Sequence, residues 1–255
     1  MSSVNVNQPL GTPTWLDLGI PDLDRAMAFY HAVFAWEFDI GPAETGNYTN
    51  CLVNGLPVAA LMPNPDPEAT EFWWNVYLAT DDVDASVDRV RAAGGTVLVE
   101  AMDVMEIGRM AIAADPAGGQ FGLWQGTGFV GSRLVNEPNT LLRNDLVTPA
   151  PELTRPFYAS VFDFTLDGNE DMPGVDFTFL RRPDGHEIGG IFGDPTATKT
   201  AWGNLFMVDD CDATVARAVA AGGTAAEPMD MVYGRLCTIT DPFGATFDVG
   251  SQPKE

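Results

Sequence analysis

An internal repeat constrains this chain more than any other feature. DDVDASVDRVRAAGGT at 81–96 returns as DDCDATVARAVAAGGT at 209–224, an offset of 128. FYHAVFAWEFD at 29–39 returns as FYASVFDFTLD at 157–167 at the same offset. GRMAIAADPAGGQF at 108–121 returns as GRLCTITDPFGATF at 234–247 with an offset of 126, so two residues are missing ahead of this block in the second copy. Three blocks in one order mean two copies of one module.

Each copy holds a weaker repeat. Strand WLDLGIPD precedes the helix DLDRAMAFYHAVF, and strand WNVYLATD precedes DVDASVDRVRAAGG. Both strands alternate, and both helices open on an acidic cap, Asp22 and Asp82. The Gly94-Gly95 pair ends the second helix, and three short strands follow each helix. The pattern is βαβββ four times over, an α+β chain. It divides into an N-terminal tail (1–11), a first module (12–126), a linker (127–138), a second module (139–251) and a C-terminal tail (252–255).

Composition narrows the class. Hydrophobic residues make up 45% and charged residues 19%, which is globular. No apolar run reaches the ~18 residues of a membrane span, and MSSVNVNQPLGTP has neither the basic nor the apolar part of a signal peptide. Three scattered cysteines, Cys51, Cys211 and Cys237, have no metal-type spacing and suit free thiols in the cytoplasm. Thirteen basic against thirty-six acidic residues give a net charge of -23, and only Lys199 and Lys254 are lysines. Such a surface repels nucleic acid and anionic membrane and favours a cationic ligand; it also serves solubility alone.

A strand, an Asp, a helix bearing Phe-Tyr, and later a DP-x-G turn into a last strand resemble the vicinal-oxygen-chelate superfamily of glyoxalases, bleomycin-resistance proteins and dioxygenases. TPTWLDL, AFYHAVFAW, WNVYLATDDVDA and GRMAIAADPAGGQFGLWQ, with their second copies, are similar to its two-module actinobacterial glyoxalase-like branch. The resemblance spans roughly residues 12–251. It implies that each module curls its strands into a cup for a small molecule or metal, with helices outside.

The family's metal ligands come from the first, fifth and eighth strands. Counted seven residues from Asp22, Asp82 and Asp115, these positions are Trp15, Asn75 and Gly122; in the second module they are Arg143, Gly203 and Asp248. Neither set suits a metal, so no metal and no other cofactor is expected. His31, on an outer helix, and His186, in a turn, read as surface residues. Gly122 would leave room for the Trp15 indole, and Arg143 and Asp248 could replace the metal by an ion pair, unless Arg143 faces a ligand.

Strand alternation turns Trp15, Asp17 and Gly19 into the first cup, and Arg143 and Asp145 into the second. Asp17 and Asp145 are the candidates for general acid/base work; the competing reading pairs them structurally with Arg109 and Arg235. Trp73, Asn75 and Tyr77 share the cup face of the fifth strand, and Trp124 that of the eighth. Trp74 and Trp202 fall in the opposite register, as core. Met102, Met105, Met229, Met231 and Tyr233 lie in loops ahead of the repeated Gly-Arg pairs, as a mobile apolar rim. Trp15, Trp73, Asn75, Tyr77, Trp124, Arg143, Tyr233 and Asp248 are thus the candidate ligand-binding residues. No nucleophile arrangement and no phosphate-binding fingerprint is present.

The expected function is a metal-independent tailoring or detoxifying enzyme for a hydrophobic, aromatic metabolite, working by acid/base chemistry. A non-enzymatic antibiotic-sequestering protein is the alternative, which the acidic charge favours for a cationic drug, and a glyoxalase-like lyase is a third. The partner is a small molecule, with no nucleic acid or membrane, and the chain is a monomer or homodimer.

Overall fold

The computed structural model describes residues 3–168 and 174–253; Lys254 and the extreme ends of both tails lie outside them. The first module runs β1 (Pro13–Ile20), α1 (Leu23–Phe34), β2 (Glu37–Ile40), β3 (Thr49–Val53), β4 (Leu56–Pro63), β5 (Trp74–Ala79), α2 (Val83–Ala92), β6 (Thr96–Val104), β7 (Gly108–Ala114) and β8 (Gln120–Gly126). The second runs β9 (Leu141–Thr148), α3 (Pro151–Phe162), β10 (Thr165–Gly168), β11 (Phe177–Arg181), β12 (Glu187–Gly193), β13 (Ala201–Met207), α4 (Cys211–Ala220), β14 (Thr224–Ala225), β15 (Met229–Met231), β16 (Gly234–Thr240) and β17 (Thr246–Ser251). These are the four βαβββ units, the last with its first strand after the helix broken into β14 and β15.

Each module forms one mixed sheet. Eight strands lie in the order β2-β3-β4-β1-β5-β8-β7-β6; the other sheet has nine, β10-β11-β12-β9-β13-β17-β16-β14, with β15 on β16. The leading strands of the sub-repeats meet antiparallel at the centre, β1 on β5 and β9 on β13. The shorter second copy shows at the sheet edge, where the nine residues of β6 become the short β14 and β15.

Asp22, Asp82 and Asp210 cap α1, α2 and α4 by accepting from the backbone N–H of Arg25, Ala85 and Ala213. Helix α3 has no such cap and starts on Pro151, whose missing N–H needs no partner there. No helix among the described residues is long and apolar enough to cross a membrane.

The helices lie outside the cups but inside the molecule, because α1 packs on α4 and α2 on α3 across the module boundary. The repeated motifs are reciprocal locks. Tyr30 donates to Asp241 Oδ2 at 3.0 Å, and Tyr158 donates to Asp115 Oδ2 at 3.0 Å. Each of those carboxylates also closes its own DP-x-G turn, accepting from the backbone at Ala117 and Gly119 or at Phe243 and Ala245. Trp74 and Trp202 are buried and donate to the two tyrosines. The neighbouring phenylalanines explain the second glycine of each Gly-Gly pair. A Cβ on Gly95 would sit 2.7 Å from Phe157, and one on Gly223 2.8 Å from Phe29. One apolar core therefore runs through both modules.

Candidate functional site: two unequal cups

The register sets the cup faces. In the first module Asp17 stands opposite Asn75, Trp15 opposite Tyr77, and Tyr77 beside Gly122. In the second, Asp145 stands opposite Gly203, Arg143 opposite Leu205, and Leu205 beside Asp248. The two sets are equivalent position by position.

The first cup is filled by its own side chains. Trp15, Ala60, Tyr77 and Trp124 form a separate buried cluster, with Tyr48, Val104, Ile107, Met110, Ile112 and Phe129 packed on it. Phe129 comes from the linker, meets the Trp15 ring edge-on at 4.8 Å, and accepts from Trp124 Nε1 at its carbonyl. The ring over Gly122 is that of Tyr77, at 2.1 Å from where a Cβ would stand, and not the Trp15 indole. Asp17 is 3% exposed. It accepts from Asn75 Nδ2 at 2.8 Å, Tyr77 Oη at 2.9 Å and Tyr48 Oη at 3.2 Å. Trp15 Nε1 donates to Tyr48 Oη, and Trp73 Nε1 to Asn75 Oδ1. Burial pushes the Asp17 carboxyl up, and the three donors pull against it.

The second cup faces water. Strand β1 is buried on both faces along nearly its whole length, whereas β9 alternates buried with accessible residues. The Asp145 side chain keeps 31% exposure. Its carboxylate is held by Arg143 Nε at 2.9 and 2.8 Å, and the backbone N–H of Gly190 supports it. Arg143 also donates from Nη1 to Glu187 Oε1 at 2.5 Å and lies over the rings of Phe177 and Phe179. Arg181 pairs with Glu187 and Asp167. Asp248 accepts from Thr238 Oγ1 at 2.5 Å. Burial pushes both Asp145 and Asp248 up; Arg143 opposes this at Asp145, while the charge of Asp145 adds to it at Asp248.

Several sequence expectations need correcting. Arg143 pairs with Asp145, two residues along its own strand, and with Glu187, not with Asp248. Arg109 and Arg235 pair elsewhere than with Asp17 or Asp145: each binds one helix acid and one acid of the neighbouring edge strand, Asp84 and Asp103, and Asp212 and Asp230. Met102 lies in β6, and Met229 and Met231 in β15, strands instead of loops. Tyr233 is 61% exposed in the turn before β16. Trp73 is exposed at the rim of the first cup. His31 and His186 are exposed. Tyr48, Phe129, Phe177, Phe179, Glu187 and Thr238 were not anticipated. Only the alternation in Phe177-Thr-Phe179-Leu-Arg181 signalled a shared face.

The family's metal positions do not fit a metal here. Trp15 offers only an N–H, the Asn75 amide is spent on Asp17 and Trp73, and Gly122 has no side chain. In the second cup the Arg143 cation occupies one of the three positions. Among the described residues no three His, Cys, Asp or Glu side chains gather as metal ligands. A cleft of about 590 Å³ lies elsewhere, at the start of α3, between Pro149, Pro151, Val175, Phe192 and Pro195. Its acids are Glu152 and Asp176, and the latter is paired with Arg155, so the concentrated chemistry is in the cups.

The model of the Glyoxalase/Bleomycin resistance protein/Dioxygenase superfamily matches residues 12–123 and again 140–249. The chain belongs to that superfamily. It is 42% identical over 246 residues to "Putative glyoxylase CFP32" of Mycobacterium tuberculosis, covering 94% of both chains. It is 35% identical to "Anthracycline biosynthesis protein DnrV" of Streptomyces peucetius, covering 94% of this chain and 92% of that one. Among solved structures, the Mn(II)-bound glyoxalase from Novosphingobium aromaticivorans superposes with a TM-score of 0.68 at 20% identity, over 97% of this chain and 84% of that one. At that identity the likeness speaks for the fold alone.

Proposed function

We propose that this superfamily member is a tailoring or detoxifying enzyme for a hydrophobic, ring-bearing metabolite, working without a metal by acid/base chemistry in the second cup. The observation that carries this reading is Asp145: a carboxylate on an accessible cup face, fixed by Arg143, beside a second carboxylate with no cation of its own. Its counterpart Asp17 is sealed. The naming of two relatives for the biosynthesis of anthracyclines, which are fused-ring aromatic compounds, supports the substrate class.

Two carboxyls in unlike surroundings divide into base and acid. Arg143 opposes the upward push of burial on Asp145, which in this reading takes a proton from a C–H or O–H of the bound substrate. Asp248, with one hydroxyl donor and a like charge nearby, is the group that holds a proton and returns it to the product. Phe177 and Phe179, packed beside Arg143, give the cup an apolar side for the ligand framework, and Arg143 orients a substrate oxygen. Such proton transfer contributes roughly 10²–10⁴-fold to rate.

The test is incubation of purified, exhaustively chelated protein with anthracycline biosynthetic intermediates, followed by mass spectrometry. New product that survives chelation supports the reading, and product that disappears with the metal points to a glyoxalase-like lyase. Quantitative recovery of unaltered ligand, bound in a salt-sensitive way, points instead to sequestration. The acid excess of the cup and the net charge of -23 favour that second reading for a cationic drug.

A further inference from the structure

The two modules treat the same carboxylate in opposite ways. In the first cup every open side of Asp17 is closed by an internal donor: the Asn75 amide and the Tyr77 and Tyr48 hydroxyls. Register fixes the second-cup counterparts. Asn75 becomes Gly203 and Tyr77 becomes Leu205, since Asp17 pairs with Asn75 as Asp145 does with Gly203. Asn50 lies opposite Ala60, itself beside Asp17, as Phe179 lies opposite Gly190 beside Asp145; two residues earlier, Tyr48 becomes Phe177. All three donors are replaced by groups that cannot donate.

What replaces them is partial. Arg143 approaches Asp145 through Nε alone, its Nη1 being turned to Glu187. Over Gly203 there is room: a Cβ there would touch only the Asp145 carbonyl oxygen at 3.4 Å and Asp248 Oδ2 at 3.9 Å. The backbone at Gly203 is outside the left-handed region, so a side chain is absent for space and not for conformation.

We infer that Gly203 is the specificity-determining position of the second cup: it opens the hollow in which a hydrogen-bond donor of the ligand, a hydroxyl or a protonated amine beside an apolar ring, takes the place that the Asn75 amide has in the first cup. This rests on the second cup being the working one. The donor would reach Asp145 and Asp248 together, with its ring on the side of Phe177 and Phe179. A site built to receive a donor rejects an analogue lacking it far more strongly than an apolar pocket rejects a missing methylene.

The experiment uses three probes of one shape on the full chain: 1-naphthylmethylamine, 1-naphthalenemethanol and 1-methylnaphthalene, titrated by amide NMR. Shifts at Gly203, Leu205 and Gly250 report the cup. Both donor probes are expected to bind at least about tenfold tighter than the hydrocarbon, and the amine-to-alcohol ratio tells which donor the cup prefers. Gly203→Asn, which restores the first cup's amide, should abolish that preference while thermal stability is kept. Should Gly203→Asn fail to fold, Gly203→Ser carries the same test with a smaller donor. Equal binding of all three probes, or a preference that survives both substitutions, overturns the role of Gly203 while leaving the second cup as a binding site. No shift in the cup with any probe overturns both.

Discussion

Strands β1 and β9 are the same strand twice, yet one is buried on both faces and the other on one. Each carries an Asp at its centre. Around Asp17 the module has supplied aromatic rings, two phenols, an amide and the linker's Phe129. Around Asp145 it has supplied an arginine, a glycine and two further acids. One copy is a packed, self-satisfied core, while the other presents a charged, accessible face. On the proposed function, a buried carboxylate with all its donors internal is structure, and one with room left over is a place for a ligand.

The contrast can be strained from both sides. Phe129→Ala should remove the keystone of the first cup and cost about 2 to 4 kcal/mol, as large-to-small changes among packed rings do. Denaturant unfolding would show this, and on the proposed function turnover by the remaining folded protein should be unaffected. Arg143→Ala should cost less stability, about 1 to 3 kcal/mol, because its partners are partly solvated. It should nevertheless lower turnover roughly 100-fold. An Arg143→Ala variant of full activity would mean that the ion pair is only a surface feature. Tyr30→Phe and Tyr158→Phe should each cost about 1 to 2 kcal/mol, and nearly equally, since both leave a buried carboxylate short of a donor. Unequal melting losses would show that the module boundary is not reciprocal.

The smallest effect concerns pH. Burial raises the Asp17 carboxyl above the ordinary range. A carboxyl raised in the folded state contributes stability that is complete below its unfolded pKa and is lost as pH rises through its folded pKa. The melting advantage of the wild type over Asp17→Asn should therefore shrink as pH is raised across that window. An advantage that grows with pH would mean that the three donors outweigh burial.

Much of this was legible in the sequence. Phe-Tyr, Gly-Gly and DP-x-G recur at fixed offsets because they are the two sides of one interface, so the repeat carried the module organisation. Alternation placed Asp17, Asn75 and Tyr77 on one face. What stayed hidden depends on reach across strands. The family resemblance offers Asp248 as one partner for Arg143, since it places both at metal-ligand positions; in the fold the long guanidinium finds the nearer acid on its own strand. Tyr48 and Phe129 come from connections with no period. The hollow at Gly203 is visible only when register sets it against Asn75.

The paired substitution of the two aspartates bears most directly on the division of labour. On the proposed function, turnover of whichever intermediate yields product would be measured for Asp17→Asn and Asp145→Asn at equal folded concentration. The second-cup assignment predicts at least about a 100-fold loss for Asp145→Asn and little change for Asp17→Asn. Equal losses, or a loss confined to Asp17→Asn, would contradict it.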